Sequence, residues 1–295
     1  MFEKPKKRLV MGLGGGLVCS CRSDKVLEKL LLAHDNDYLI STVDMTAGYI
    51  KFIQTVVGGD RVWLDSGGFT LFKKQKKLGE NNPDFWNECE KMKKKFLRFL
   101  KTYRFKMCFE LDNEYFRKDD DLLSPKNYLR DEIKEITGYY PAPVFKMHQG
   151  FQYWKDLCDS ALYPILSIGG LAQARQWHVY RDELGKMMKY ARDKGKYVHL
   201  LGCSNVETTR FVMPDSVDFS IFRYAINIEK ARNNFLKKVA GGTLVPGQDA
   251  YESAGPDLSG RIPYHYLSRD IVLYAFADAR AREFLYEKQN DEIIE

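Results

Sequence analysis

The 295-residue chain has no apolar run close to the roughly 20 residues that a membrane-crossing helix needs. Its first residues, Met-Phe-Glu-Lys-Pro-Lys-Lys-Arg, are charged, and the apolar stretch after them, 9–18, holds four glycines and no small-residue cleavage site. That is a poor secretory signal, so the expected location is the cytoplasm. Cysteine is scarce: six residues, at 19, 21, 89, 108, 158 and 203, most of them in apolar or helical contexts. Such usage fits reduced, packed thiols and argues against a disulfide framework. Cys19-Ser20-Cys21 is the one close pair, and no second CxC, CxxC or HxxxH supplies the other ligands of a structural zinc. The absence of any HxH pair also removes the usual ligands of a metal-dependent hydrolase, so no metal site is expected. Repeats and low-complexity segments are absent too.

What remains is ordinary globular composition, 44% hydrophobic and 29% charged, in a length that suits one large domain or two small ones. The net charge of +6 says little by itself. Its distribution says more, because between Lys73 and Lys106 there are twelve Lys/Arg and four Asp/Glu. Beside a site, such charge attracts a polyanion, most economically nucleic acid. A solvated lysine face on a helix reads the same way in sequence.

Short apolar runs alternate with amphipathic stretches. Strands are predicted at 9–13, 38–42, 62–64, 107–111, 144–147, 165–168, 198–201 and 217–221. Helices are predicted at 24–32, 47–56, 84–103, 124–137, 153–160, 180–194 and 206–211. Ser124-Pro125 suits a helix start, and Gly138 and Gly195 suit helix ends. Eight strands alternating with helices fit a (β/α)8 barrel of the TIM type better than an open doubly wound sheet. A GxGxxG dinucleotide loop fails at its last position, which is Leu17. After about residue 225 the pattern loosens and ends in a helix near 268–288. The chain therefore reads as a single barrel domain, 1–295, with a C-terminal helical extension.

Barrel sites lie at the C-terminal strand ends. Those ends carry Asp65, Asp112, His148-Gln149-Gly150, Gly169-Gly170, Gly202 and Asp218. The Leu64-Asp65-Ser66-Gly67-Gly68-Phe69 segment is the most telling. It sets a carboxylate after an apolar strand, then glycines that let a backbone approach a ligand, then an aromatic. This suits binding and protonating a flat polar heterocycle, although an Asp capping a turn has the same sequence.

Asp65-Ser66-Gly67-Gly68-Phe69, Gln149-Gly150, Ile168-Gly169-Gly170-Leu171-Ala172, Leu200-Leu201-Gly202 and Ser216-Val217-Asp218 resemble, in order, the motifs of tRNA-guanine transglycosylases. The likeness covers about residues 60–225. Phe109-Glu110-Leu111-Asp112 and Val217-Asp218 look more like the short, phage-associated relatives that act on DNA. No cysteine follows Cys203, so neither the zinc subdomain of the tRNA enzymes nor an appended RNA-binding domain is expected.

The resemblance implies a barrel that exchanges guanine in DNA for a free 7-deazaguanine base, a modification that protects from restriction, in the host cytoplasm if the chain is phage-encoded. By resemblance Asp218 is the nucleophile and Asp65 the acid/base. Asp112, His148, Gln149, Gly169, Gly170 and Gly202 would surround the base, between Phe69 and Leu201. Strand alternation leaves open whether His148 or Gln149 faces the site. Lys93, Lys94, Lys95 and Arg223 would hold flanking phosphates. No cofactor is expected. The alternatives are the same exchange on tRNA, of the queuosine or archaeosine type, and a non-catalytic nucleic-acid-binding barrel.

Overall fold

The structure is a computed structural model that describes residues 9–13, 37–43, 45–79, 81–111, 121, 123–171, 179–203 and 206–219. Eight strands alternate with helices. They are β1 (Leu9–Leu13), β2 (Tyr38–Ser41), β3 (Val62–Asp65), β4 (Met107–Cys108), β5 (Val144–Phe145), β6 (Ile165–Ile168), β7 (Tyr197–Leu200) and β8 (Ser216–Phe219). All pair in parallel, in the order β4-β3-β2-β1-β8-β7-β6-β5, so the first and last strands are neighbours. Parallel neighbours need a crossover, and helices supply most of them. These are α1 (Ala47–Val57), α2 (Gly68–Leu78), α3 (Pro83–Thr102), α4 (Arg130–Thr137), α5 (Gly150–Asp159), α6 (Arg181–Asp193) and α7 (Val206–Val212).

The strands are largely apolar on both faces, as a helix-covered parallel sheet requires, with Ser167, His199, Ser216 and Asp218 as buried polar exceptions. One face packs on the helices through residues such as Ile40, Leu64, Ile168 and Leu200. The other forms its own cluster, led by Leu39, Trp63, Phe109, Val144 and Tyr197. At the N-terminal end of the sheet, Asp37 accepts from Trp63 Nε1–H at 2.8 Å and pairs with Lys106 at 2.9 Å.

β4 and β5 lie at the two ends of the sheet order, and a short parallel bridge, Phe109 to Ala142, joins them. Ala142 N–H donates to the Cys108 carbonyl at 2.9 Å, and Glu110 N–H donates to the Ala142 carbonyl at 3.0 Å. One step further the Glu110 carboxylate replaces the ladder, accepting from Val144 N–H at 2.7 Å. Its other oxygen accepts from Arg130 Nε at 2.5 Å, and Arg130 also reaches the Tyr163 and Tyr153 hydroxyls at 3.1 and 3.4 Å. Burial opposes the charge on Arg130, yet Glu110 beside it raises the guanidinium above its ordinary range.

Every predicted strand is present, several of them shifted or shortened by a residue or more. Three local expectations need correction. The Gly67-Gly68 break is a left-handed turn at Gly67 (φ +89°) that leads straight into α2, a helix the sequence pattern does not announce. Ser124-Pro125 opens turns rather than the helix: Tyr128 and Leu129 take positive φ, and regular helix begins at Arg130. Met147–Gln149 is a 3-10 turn, so β5 ends at Phe145. The extension after 225, the 24–32 helix, Cys19, Cys21 and the 14–16 glycines lie outside the described residues. No helix among the described residues is long and apolar enough to cross a membrane.

Candidate functional site

Side chains alternate between sheet faces, so the face that holds Trp63, Ser167, His199 and Ser216 also holds the residues two positions later. Those are Asp65, Gly169, Leu201 and Asp218, at or near the C-terminal ends of β3, β6, β7 and β8. Sequence-distant residues thus share one face and one end of the sheet.

Asp218 is buried and firmly held. Its Oδ1 accepts from Gly202 N–H at 2.7 Å and lies 3.1 Å from His199 Nε2. Nδ1 of the same ring is 2.7 Å from the Ser216 hydroxyl. A carboxylate accepts, which puts a ring hydrogen on Nε2. The imidazole is fully buried, with its centroid 5.2 Å from both the Trp63 and Phe109 rings. Two donors therefore fix Oδ1, and Oδ2 takes no hydrogen bond among the described residues.

Asp65 is half-buried at the end of β3. Its carbonyl is tied to the neighbouring strand, accepting from Thr42 N–H at 2.9 Å and Thr42 Oγ1–H at 2.8 Å. Gly67 makes the turn possible in two ways. Its φ is left-handed, and a Cβ there would fall 2.5 Å from Val43 Cγ2 and 3.1 Å from Met92 Sδ. Phe69, on the first turn of α2, is 42% exposed, and Lys73 Nζ sits 4.0 Å from its ring centroid.

Across the sheet, Gly169 is buried between β5 and β7. A Cβ there would lie 2.8 Å from Val144 Cγ1 and 3.5 Å from Leu201 Cδ1, so glycine keeps this part of the strand-end floor low. Gly170 is exposed, with open space where a Cβ would stand.

His148 and Gln149 occupy a turn, so strand alternation does not choose between them. Gln149 is half-buried and its Oε1 accepts from Lys146 N–H at 2.8 Å, closing its own turn; His148 is exposed. Lys93, Lys94 and Lys95 are successive on α3 and point about 100° apart, so they do not form one stripe. Lys93 lies 3.8 Å from Glu90, Lys95 donates to the Val43 carbonyl at 3.1 Å, and Lys94 is exposed. Asp112 and Arg223 lie outside the described residues.

Among the described residues no group of three or more His, Cys, Asp or Glu is placed to hold a metal ion. Burial pushes the thiols of Cys108 and Cys158 up to about 12 and that of Cys89 to about 11, so these three are packing groups rather than nucleophiles. His199 is not singled out by sequence reasoning, and Ser216 enters there only as part of the motif around Asp218. A signal exists nonetheless: a histidine in an otherwise apolar strand, on the same face as the site.

No family model matches the chain, and no curated protein matches it. What stands at this end of the sheet is a carboxylate held at one oxygen, whose other oxygen takes no hydrogen bond among the described residues, a second carboxylate at another strand end, and a buried glycine between β5 and β7.

Proposed function

We propose that the chain is a (β/α)8 barrel that exchanges guanine in DNA for a 7-deazaguanine base. Closure of the sheet is supported by the contacts of His199. β3 and β7 are four steps apart in the strand order, about 19 Å in a flat sheet, yet the Trp63 and His199 rings are 5.2 Å apart. The Phe109–Ala142 bridge joins the remaining pair of strands. Register agrees. The pairings run Met11–Tyr38, Tyr38–Val62, Trp63–Met107, Phe109–Ala142, Val144–Ser167, Ile165–Tyr197, His199–Ser216 and Val217–Leu9, and one circuit returns eight residues from its start. A shear of about eight is that of TIM barrels.

The observation that carries the functional reading is Asp218, held at Oδ1 with Oδ2 open. Base exchange breaks a C1′–N9 bond through an oxocarbenium-like state, which a carboxylate can trap covalently as in retaining glycosidases. In this reading Asp218 Oδ2 bonds to C1′ while the C1′–N9 electron pair goes to N9, and Asp65 gives N9 its proton. The incoming base then loses its N9 proton to Asp65, and its N9 displaces Asp218 from C1′. One glycosidic bond is broken and one made, so the reaction asks for no cofactor. Asp112, Gln149 and the Gly170 N–H would read the base edge, with His148 and Gly202 beside it. Gly169 would leave room for the ring between Phe69 and Leu201. The target nucleotide must be flipped or already single-stranded, because a duplex hides its glycosidic bond. Lys93, Lys94, Lys95 and Arg223 remain candidates for phosphates, and the cytoplasm for the setting.

The test is uptake of isotope-labelled guanine into a single-stranded DNA oligonucleotide, with a tRNA transcript in parallel. Asp218→Asn should abolish uptake while leaving folding and DNA binding nearly intact, since the side chains are almost isosteric. A variant that keeps more than about a tenth of the rate would remove Asp218 as nucleophile, because losing one costs orders of magnitude. Uptake by tRNA alone would move the substrate to the other branch.

A further inference from the structure

The outward face of α2 sets a lysine over each of two aromatic rings. Phe69 and Phe72 are 42% and 39% exposed, unusual for phenylalanine on a helix, while Leu71 on the opposite face is fully buried. Lys73 Nζ lies 4.0 Å from the Phe69 centroid and Lys76 Nζ 4.5 Å from that of Phe72. Positions 69, 72, 73 and 76 form one stripe at helical spacing. The helix has no acidic residue. Lys74, on its flank, is paired with Glu88 of α3, whereas Lys73, Lys76 and Lys77 pair with no carboxylate among the described residues. The stripe starts four residues after Asp65.

We infer that this face of α2 is a binding surface for single-stranded nucleic acid, and that Phe72 stacks a base flanking the target nucleotide. Sequence-tolerant single-strand binding needs two things side by side, flat apolar rings for bases and cations for phosphates. Here they lie side by side on one helix. Consecutive rings three residues apart on a helix are about 5–6 Å apart at Cβ, a step that successive unstacked nucleotides can match. A phosphate that approaches Lys73 or Lys76 draws the ammonium off the ring beneath it and frees that ring for a base, so the same contact that shields the aromatics now opens them. A duplex offers the phosphates without the base faces. Charge complementarity therefore selects a polyanion, and the rings select one with unstacked bases.

This inference rests on the nucleic-acid reading of the Asp65 site but does not need catalysis, so the two fail separately. Binding of the full chain to a fluorescent oligothymidylate is measured by anisotropy across a salt series, beside a duplex of equal length and inorganic polyphosphate. Phe72→Ala should weaken oligothymidylate binding roughly ten-fold, with its salt slope unchanged, since stacking releases no counterions. Phe72→Tyr should restore it and Phe72→Leu should not. Duplex and polyphosphate binding should be indifferent to all three. The variant with Lys73, Lys76 and Lys77 changed to Gln should lower the single-strand slope by up to about 0.7 for each phosphate that is no longer neutralised. Circular dichroism and melting control for folding, which an exposed position should leave unaltered. If Phe72→Ala and Phe72→Leu bind oligothymidylate like wild type, or polyphosphate binds as tightly as the oligonucleotide, the stripe is not a stacking platform. Absence of any oligothymidylate binding, including the case in which α2 docks another protein, overturns it equally. Guanine exchange that persists alongside those failures would leave the transglycosylase reading in place.

Discussion

At the scale of single residues, the proposed catalysis would depend on what holds Asp218. A nucleophilic carboxylate must keep one orientation, and here Gly202 N–H and the His199 ring both grip Oδ1. His199 is itself oriented by Ser216 and walled in by Trp63 and Phe109. His199→Leu should therefore lower kcat by at least ten-fold, with little change in KM for the free base. His199→Gln, whose amide can still donate, should recover part of the loss. Steady-state kinetics of the two variants decide it, and an unaltered kcat in His199→Leu would show that Gly202 alone positions the carboxylate. The strand-end positions of Asp65 and Gly169 are legible from sequence because a strand that runs into glycines is a local pattern, whereas Asp218, with no glycine after it, is singled out only by the resemblance. His199 is not legible, since a polar residue inside a strand declares itself only when register shows what stands opposite.

Among elements, the weakest joint is between β4 and β5, two residues each. Sequence suggests a longer β4, through Leu111, because Phe109 and Leu111 alternate correctly. Glu110 stops the ladder by turning its own carboxylate to Val144 N–H, and Arg130 neutralises that buried charge. Arg130→Met should cost about 3–5 kcal/mol in denaturant unfolding, since it strands a buried carboxylate. Adding Glu110→Gln to Arg130→Met should return a good part of it, and a loss below about 1 kcal/mol in the single variant would deny the pair its role.

α2 is illegible for a different reason: Gly67-Gly68 looks like a breaker, and a short helix of low apolar content depends on its neighbours. Glu88 of α3 joins Lys74 of α2 and Lys91 of its own helix, and these two lysines hold its carboxyl down to about 2. A depressed carboxyl contributes stability above its unfolded value, near 4.5, and loses it as pH falls through about 2. Glu88→Gln should thus be less stable than wild type at neutral pH, by under about 1 kcal/mol for a pair at the surface, and the gap should close toward pH 2. A gap independent of pH would assign the loss to packing instead.

For the whole molecule, strand count and alternation with helices can be read because most strands are short, largely apolar runs. Pairing order and register cannot, because they depend on contacts between segments far apart in sequence. Those contacts bring Trp63, Phe109 and His199 together and set Asp65, Gly169, Leu201 and Asp218 on one face at one end of the sheet. The reading proposed for that arrangement is exchange of a base on a sugar, and the lysines and phenylalanines of α2 are the surface proposed to hold the nucleic acid. The most direct measurement is nucleoside mass spectrometry of DNA from cells that express the protein and are supplied with a 7-deazaguanine base. The account predicts a 7-deazaguanine deoxynucleoside in that DNA, lost with Asp218→Asn and with Asp65→Asn. Unmodified DNA from cells that make folded protein and take up the base, or modification that survives Asp218→Asn, would contradict it.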